Sequence, residues 1–192
     1  MAYNAKDYKT LLGMDGFSDD LLQNHFTLYQ GYVANTEKLL TTLQNLELEG
    51  KSSSPEYAEC RRRFGWEFNG MRLHEYYFEN LGGDGIPVSS GKLYNAIVKE
   101  FSSFEAWEKE FRTLSAMRGI GWVILYYDPH ADRLFNVWVN EHDVGHLSGC
   151  IPLLIIDIFE HAFLRDYGLQ RIEYINAFFK KINWKVVESR FV

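Results

Sequence analysis

Polar turn residues divide the first part of the chain into two long segments of mixed apolar and polar residues. Ser18, followed by two aspartates, is typical of a helix N-cap with an acidic first turn, and Gly50 is typical of a helix end. Pro55 suits the first turn of a second helix. The pattern therefore predicts a helix over about 19–49, a second from Pro55 to about Leu81, and a helical hairpin made by the two.

In the second half of the chain, the spacing of apolar residues indicates both helices and strands. Apolar spacing predicts helices over about 92–101 and 104–117, and further helices over about 171–182 and 184–190. Between these pairs, the β-branched and aromatic runs 122–127 and 134–139 flank a polar turn and predict a β-hairpin. The apolar run 151–156 suits a strand by its length and branched residues, but also one face of a helix.

Composition narrows the class of protein. The chain has 192 residues, of which 46% are apolar and 16% aromatic, enough for a substantial core in one domain or two small layers. We expect no membrane span, because no apolar run reaches about eighteen residues. The first ten residues contain no apolar stretch of signal-peptide type, so we expect a cytoplasmic protein.

The number of cysteines and the net charge restrict the possible class of protein further. Cys60 and Cys150 lie far apart in the sequence and do not form the dense framework of a small secreted domain, so we expect two free thiols. The formal net charge of −6 argues against general nucleic-acid binding.

The segment 151–161 places a carboxylate and an imidazole inside an apolar run. Burying Asp157 and His161 there costs several kcal/mol unless an opposite charge receives them, and together they are a natural pair of metal ligands. A structural explanation is open at this point. Asp157 or Glu160 could pair with an arginine, and His161 could be a hydrogen-bonded core histidine.

The run Asp157-Ile-Phe-Glu-His-Ala extends into a series of short motifs along the chain. The others are Asn69-Gly70 with His74, Phe78-Glu-Asn-Leu81, Gly119-Ile-Gly-Trp122, Arg171-Ile-Glu-Tyr174 and Asn183-Trp184. Together these motifs resemble those of the iron/manganese superoxide dismutases, whose pattern at the first is Asp-x-Trp-Glu-His-Ala. The resemblance covers nearly the whole chain and is strongest from about Trp66 onward.

The resemblance implies a fold and a metal centre. It implies an α+β protein in which an N-terminal helical hairpin domain, residues 1–88, packs on a C-terminal α/β domain, residues 89–192. The C-terminal domain would hold a three-stranded antiparallel sheet whose third strand ends near Asp157. One iron or manganese ion per chain would lie between the two parts, and the resemblance assigns it the ligands His25, His74, Asp157 and His161.

The chain departs from the family pattern around His25. Tyr29 stands where the family usually has a second histidine, and Tyr32 arrives one residue early. A one-residue deletion turns the rest of a helix by about 100° unless a π-bulge is lost. The resemblance implies that Tyr32 is the gateway tyrosine beside the metal, with Tyr29 as its competitor.

A second departure concerns the glutamine that many members place against solvent on the metal. The second helix has Gly70 at one possible position, and the stretch 139–146 has no glutamine at the other. Some members use a histidine instead, which makes His142 the best match and His146 the alternative. An imidazole can donate one hydrogen bond while a neighbour fixes its other nitrogen. Two solvent-exposed loop histidines are the other interpretation.

The resemblance also implies partners and surroundings. Glu160 would reach a ligand histidine, His161, of a second copy across a two-fold axis, giving a homodimer, although Leu164 replaces the family's usual tyrosine there. Arg171 would lie near the substrate funnel. Arg61–Arg63 is interpreted as solvated surface, because three consecutive side chains cannot share a helix face. The expected aromatic shell around the metal consists of Trp66, Phe78, Trp122, Phe159 and Trp184.

The implied activity is dismutation of superoxide to oxygen and hydrogen peroxide by one-electron cycling of the metal. A charge of −6 would repel this anionic substrate unless local cations focus it. Two alternatives are peroxidase-like or oxidase-like chemistry, and a dimer that keeps the fold with a structural metal. The choice between iron and manganese stays open, because the residues that usually indicate it are the ones that differ.

Overall fold

A computed structural model describes residues 2–191, and it contains seven α-helices and three strands within them. The helices are α1 Asp19–Leu48, α2 Pro55–Glu79, α3 Lys92–Phe101, α4 Phe104–Ser115, α5 Leu164–Tyr167, α6 Arg171–Lys180 and α7 Trp184–Ser189. The strands are β1 Gly121–Asp128, β2 Arg133–Asn140 and β3 Ile151–Asp157. Short 3₁₀ helices span Lys9–Leu11 and Glu160–Ala162. This arrangement confirms the predicted α+β fold.

The helical hairpin begins where its capping residues predict. The hydroxyl of Ser18 accepts a hydrogen bond from the amide of Leu21 at 3.0 Å, and α2 has a matching cap with Pro55 in its first turn. α1 is a regular α-helix along its whole length. α2 ends at Glu79 rather than Leu81, because Asn80 already has the C-cap position.

The sheet has the order β2-β1-β3, with both pairs antiparallel. β1 is central and is buried from Gly121 to Tyr127, which explains why its sequence is a continuous apolar run rather than an alternating one. The run that suited either a strand or a helix is the strand β3. In its register Trp122 lies opposite Asp157, so a buried tryptophan and a buried carboxylate face each other across the sheet.

The remaining differences from the predicted elements lie at helix ends and in short helices. α4, α6 and α7 each end one or two residues before their predicted ends, where last turns commonly fray. The helix α5 and both 3₁₀ helices were not predicted, because three or four residues are too few to show a periodic pattern.

One hydrophobic core cluster contains residues from the hairpin, the sheet and the later helices. α2 packs on β3, and the hairpin thereby meets the sheet at the end of β3. The domain boundary at residue 88 stays a prediction. Among the described helices, none combines the length and the apolar character that a membrane crossing requires.

Candidate metal centre

Four ligand-type side chains converge where the hairpin meets the sheet. His25 comes from α1, His74 from α2, Asp157 from the last position of β3 and His161 from the following 3₁₀ helix. Their candidate ligand atoms all lie within 4.8 Å of one another. Oδ2 of Asp157 is the common centre: Nε2 lies at 3.1 Å in His161, at 3.2 Å in His25 and at 3.6 Å in His74. These are the four residues that the family resemblance assigned as ligands.

The hydrogen bonds around His74 leave its inner nitrogen without a proton. Its Nδ1 lies 2.6 Å from the carbonyl oxygen of Gly70. Because a carbonyl can only accept, Nδ1 carries the proton and Nε2 presents a lone pair. Within residues 2–191, Nε2 of His74 is buried and has no hydrogen-bond partner. An orphaned buried acceptor aimed at a carboxylate and two further imidazoles fits a metal ion, which would satisfy all four side chains.

The protonation states also suit metal binding. Burial lowers the pKa values of His25 and His74, so both rings are neutral near pH 7. Burial alone would raise the pKa of Asp157, but His161 and His25 more than offset this effect, and the pKa lies below its ordinary value. Two neutral imidazoles, those of His25 and His74, and one carboxylate therefore face the centre together with the ring of His161.

The backbone holds the carboxylate in place. Oδ1 of Asp157 accepts a hydrogen bond from the amide of Phe159 at 2.8 Å, which leaves Oδ2 to face the histidines. The hydroxyl of Tyr174 donates to the carbonyl of Asp157 at 2.7 Å. The end of β3 is thus tied to α6, and such supports orient ligands at metal sites.

Four of the five predicted shell aromatics surround the cluster. Phe78 contacts the rings of His25 and His74, and Phe159 stacks on His161 at 5.2 Å between centroids. Trp122 meets the ring of His74 edge-on at 5.0 Å between centroids, and Trp66 contacts His142, which lies beside the cluster. The prediction for Trp184 is wrong. It packs on Phe104 and Trp107 and donates to the carbonyl of Gly85.

Tyr32 and Tyr29, the two candidate gateway tyrosines, face different surroundings. Tyr32 stacks on His74 at 5.2 Å between centroids, and its Oη lies 2.8 Å from Nε2 of His142. Tyr29 donates instead to Glu75 at 3.0 Å and accepts from the amide of Lys6. The regular course of α1 places Tyr32 on the cluster side.

The two candidate outer histidines also differ. His142 is fully buried and bonded to Tyr32 and to Trp122. His146 is half-buried, and its Nδ1 lies 2.7 Å from Oη of Tyr126, while its Nε2 lies 2.8 Å from the carbonyl of His142. Its position supports the loop that carries His142.

Some of the arginines hold the backbone or pack on aromatic rings, and others are exposed on the surface. Arg171 donates to the carbonyls of Met117 and Gly119, the second at 3.0 Å, and lines a surface cavity with Glu160. Arg61 and Arg62 are exposed and pair with nearby glutamates. The guanidinium of Arg63 lies 3.7 Å from the centre of the Trp66 ring.

Sequence reasoning missed the polar role of Trp122, which it treated only as an apolar shell residue. Its Nε1 donates to Nδ1 of His142 at 3.0 Å. The two residues are twenty positions apart in the sequence, so no local sequence pattern links them. Only the pairing of β1 with β2, and the turn after β2, brings them together.

Comparisons with known proteins agree with this geometry. Residues 89–190 match the family model described as iron/manganese superoxide dismutases, C-terminal domain. The chain is 36% identical to a protein named as an iron superoxide dismutase from Aquifex pyrophilus, over 97% of this chain and 89% of the relative. It is also 36% identical to one named as a manganese superoxide dismutase from Haloarcula marismortui, over 85% of this chain and 79% of the relative. A second protein named as a manganese superoxide dismutase, from Haloferax volcanii, is 33% identical over 89% of this chain and 84% of the relative.

Proposed function

The chain belongs to the iron/manganese superoxide dismutase family, and from that premise we propose that it converts two superoxide ions and two protons into oxygen and hydrogen peroxide. The observation that carries the proposal is the convergence of three imidazole Nε2 atoms on one oxygen of Asp157, each within 3.6 Å. Such a cluster of imidazole donors around one carboxylate suits a redox metal with an open position.

We assign the ligands to His25, His74, Asp157 and His161, with one iron or manganese ion per chain. When bound, the ion supplies one-electron reduction and oxidation of superoxide. The chain's own residues set the conditions for this chemistry: burial keeps the imidazoles of His25 and His74 neutral, and the Asp157 carboxylate stays ionised. A ligand set of fixed charge is one means by which a protein tunes a redox potential.

We propose that Tyr32 and His142 form the polar pair that serves proton delivery. Hydrogen peroxide needs two protons, and superoxide brings none. The pair lies beside His74. Trp66 contacts the rings of both Tyr32 and His142, and its indole donates to Glu141. Tyr29 is not assigned a gateway role, because its hydroxyl is engaged by Glu75.

We also propose a homodimer through Glu160 and His161. Glu160 is exposed next to a ligand, and its side chain makes no hydrogen bond or ion pair with any residue in 2–191. It lines two surface cavities, one together with Arg171 and the other together with Leu164. A second copy could therefore bring its own ligand histidine within reach of this carboxylate.

Sedimentation velocity tests the dimer. The parent protein should be dimeric at micromolar concentration, and Glu160→Ala should shift it toward monomer with a parallel loss of activity. Glu105→Ala removes an exposed glutamate from α4 and should behave as the parent. A monomeric parent would contradict the proposal.

Metal content and superoxide consumption, measured on the same preparations, test the activity. The parent should bind one iron or manganese ion per chain and consume superoxide in proportion to its metal content. His74→Ala should lose both properties. Metal-loaded protein that oxidises a phenolic dye with hydrogen peroxide but leaves superoxide unchanged would favour the peroxidase-like alternative.

We place the protein in the cytoplasm as part of this proposal. Cys60 and Cys150 are free in the structure, and a reducing compartment would keep them so. Fractionation of cells that express the full chain tests this placement.

A further inference from the structure

Tyr29 makes a buried hydrogen bond between the two helices of the hairpin. Its hydroxyl donates to Oε1 of Glu75 at 3.0 Å, and both residues are buried. Tyr29 follows His25 by four residues, one turn further along the same face of α1, and Glu75 follows His74 directly on α2. The bond therefore joins α1 to α2 next to the ligand that each helix supplies.

The backbone of Lys6 fixes the direction of this hydrogen bond. The amide of Lys6 donates to Oη of Tyr29 at 3.0 Å. Because a backbone N–H can only donate, Oη accepts there and gives its own proton to Glu75. The Tyr29 hydroxyl thus has two partners, and its burial keeps bulk water from competing for either.

The second carboxylate oxygen of Glu75 is paired with two cations. Oε2 accepts from Nη1 of Arg72, and Nζ of Lys6 lies 3.5 Å away. The Glu75 side chain is only 6% exposed, and a buried charge is tolerated when it is both paired and hydrogen-bonded. These partners hold the carboxylate in one position against the hydroxyl of Tyr29.

The N-terminal segment that carries Lys6 lies behind the ligands. The ring of Tyr8 packs on Phe78 at 4.9 Å between centroids. Phe78 in turn contacts the rings of both His25 and His74. Lys6 and Tyr8 therefore fasten this segment over the aromatic layer that backs the two hairpin ligands.

His25 lacks the hydrogen bond that orients His74. Nδ1 of His74 donates to the carbonyl of Gly70 at 2.6 Å, whereas Nδ1 of His25 is buried and has no hydrogen-bond partner within residues 2–191. An outer hydrogen bond is the usual means of orienting a ligand imidazole. The direction of the His25 ring therefore depends on the packing around it and on where α1 lies relative to α2.

We propose that Tyr29 and Glu75 are positioning residues that clamp α1 to α2 and thereby fix His25 in the metal site, with Lys6 closing the clamp from outside. The proposal rests on the ligand set proposed above. A bond between the helices, rather than a bond to the ring, sets where the imidazole of His25 points. Breaking the clamp removes no ligand, but it lets α1 shift and the metal leave faster.

Release of Mn²⁺ tests the clamp with a readout separate from activity. The Mn²⁺-loaded full-length chain is mixed with an excess of EDTA, and bound Mn²⁺ is followed by electron paramagnetic resonance. Tyr29→Phe keeps the ring and removes the hydroxyl. It should release Mn²⁺ about 10-fold faster than the parent, the lower end of the range for residues that orient ligands. The zero-field splitting of its bound Mn²⁺ should also change, because the ligand geometry changes. A release rate and a spectrum equal to those of the parent would overturn the proposal.

Tyr57 supplies a matched control in the same hairpin. Its hydroxyl, on α2, donates to Oε1 of Glu47 on α1 at 2.7 Å, at the turn end of the hairpin. Tyr57→Phe removes the same kind of bond between the same two helices and should leave the release rate and the spectrum unchanged. Equal acceleration in Tyr57→Phe and Tyr29→Phe would overturn the clamp in favour of general loosening of the hairpin.

A double-variant cycle tests whether Tyr29 and Glu75 act through one bond. Tyr29→Phe and Glu75→Ala should each speed release, and the double variant should be no faster than the faster single variant, because the bond can be lost only once. Glu75→Gln keeps an oxygen that accepts from Tyr29 and should release Mn²⁺ more slowly than Glu75→Ala. Fold increases that multiply in the double variant would overturn the clamp.

The same proteins separate failure of the clamp from failure of the proposed function. A parent that binds no Mn²⁺ would refute the ligand set, and urea unfolding of the metal-free double-variant cycle would still decide the clamp, since additive losses would overturn it. A parent that holds Mn²⁺ but does not consume superoxide would refute the dismutase activity alone. The release rates would then still decide the positioning role of Tyr29 and Glu75.

Discussion

Gly70 lies in α2 directly against the ring of Tyr32, and adding one methyl group there tests the packing of the site. A Cβ at Gly70 would lie 2.6 Å from Cδ1 and 2.7 Å from Cε1 of Tyr32. Displacing the ring costs about 1–3 kcal/mol by overpacking and a further ~1 kcal/mol if the bond to His142 breaks. The helix propensity of alanine returns about 1 kcal/mol. Gly70→Ala should therefore lower the free energy of unfolding by about 1–3 kcal/mol.

Gly65 supplies the control in the same helix. A Cβ at this exposed position meets nothing within 4 Å, so Gly65→Ala should raise the free energy of unfolding by up to about 1 kcal/mol. Urea unfolding of metal-free protein, followed by circular dichroism, should separate the two variants by about 1–4 kcal/mol. In a Tyr32→Ala background, Gly70→Ala should become as harmless as Gly65→Ala. Equal unfolding free energies for the two single variants would refute this account of the packing.

Three further predictions concern the metal, pH and the core. Asp157→Ala should lose the bound metal ion, and elemental analysis showing unchanged metal content would contradict the ligand set. His142 has a pKa lowered from 6.5 to about 4, so its contribution to stability is complete above pH 6.5 and declines as pH falls toward 4. As pH falls from 6.5 to 4, the unfolding free energy of the metal-free parent should fall by up to roughly 3 kcal/mol more than that of His142→Gln. Equal pH dependence of stability in the two proteins would contradict the lowered pKa of His142. Arg190→Met removes the ion pair with Glu79 and should lower the unfolding free energy by about 2–3 kcal/mol. The loss is smaller than at a fully buried ion pair, because the Glu79 side chain is 34% exposed. A thermal midpoint equal to that of the parent would refute this prediction.

Local sequence signals predicted the helices that begin at a capping residue or a proline. Ser18 and Pro55 marked the starts of α1 and α2, because capping depends on neighbouring residues only. The strand β3 could not be separated from a helix by its own pattern, since it pairs with the buried central strand β1 and its side chains are apolar on both faces. The family resemblance, rather than periodicity, identified β3 as a strand.

Sequence motifs carry little information about which side chains lie close together in the fold, and this limited the predictions about the site. The sequence could not choose between Tyr29 and Tyr32, because the choice depends on whether α1 contains a π-turn, and the helix is regular. The Asn-Trp motif carried no information on where α7 packs, so Trp184 was placed at the metal although it lies with Trp107. The bond between Trp122 and His142 depends on strand pairing, which local patterns do not contain.

Pulse radiolysis of the metal-loaded protein tests the central claim most directly. Superoxide generated in solution should decay in a catalysed, first-order manner, with a rate proportional to the iron or manganese bound. His74→Ala, prepared in the same way, should leave only the slow spontaneous decay. A parent protein that carries one ion per chain and does not accelerate the decay beyond that of the variant would contradict the assignment of dismutase activity to this centre.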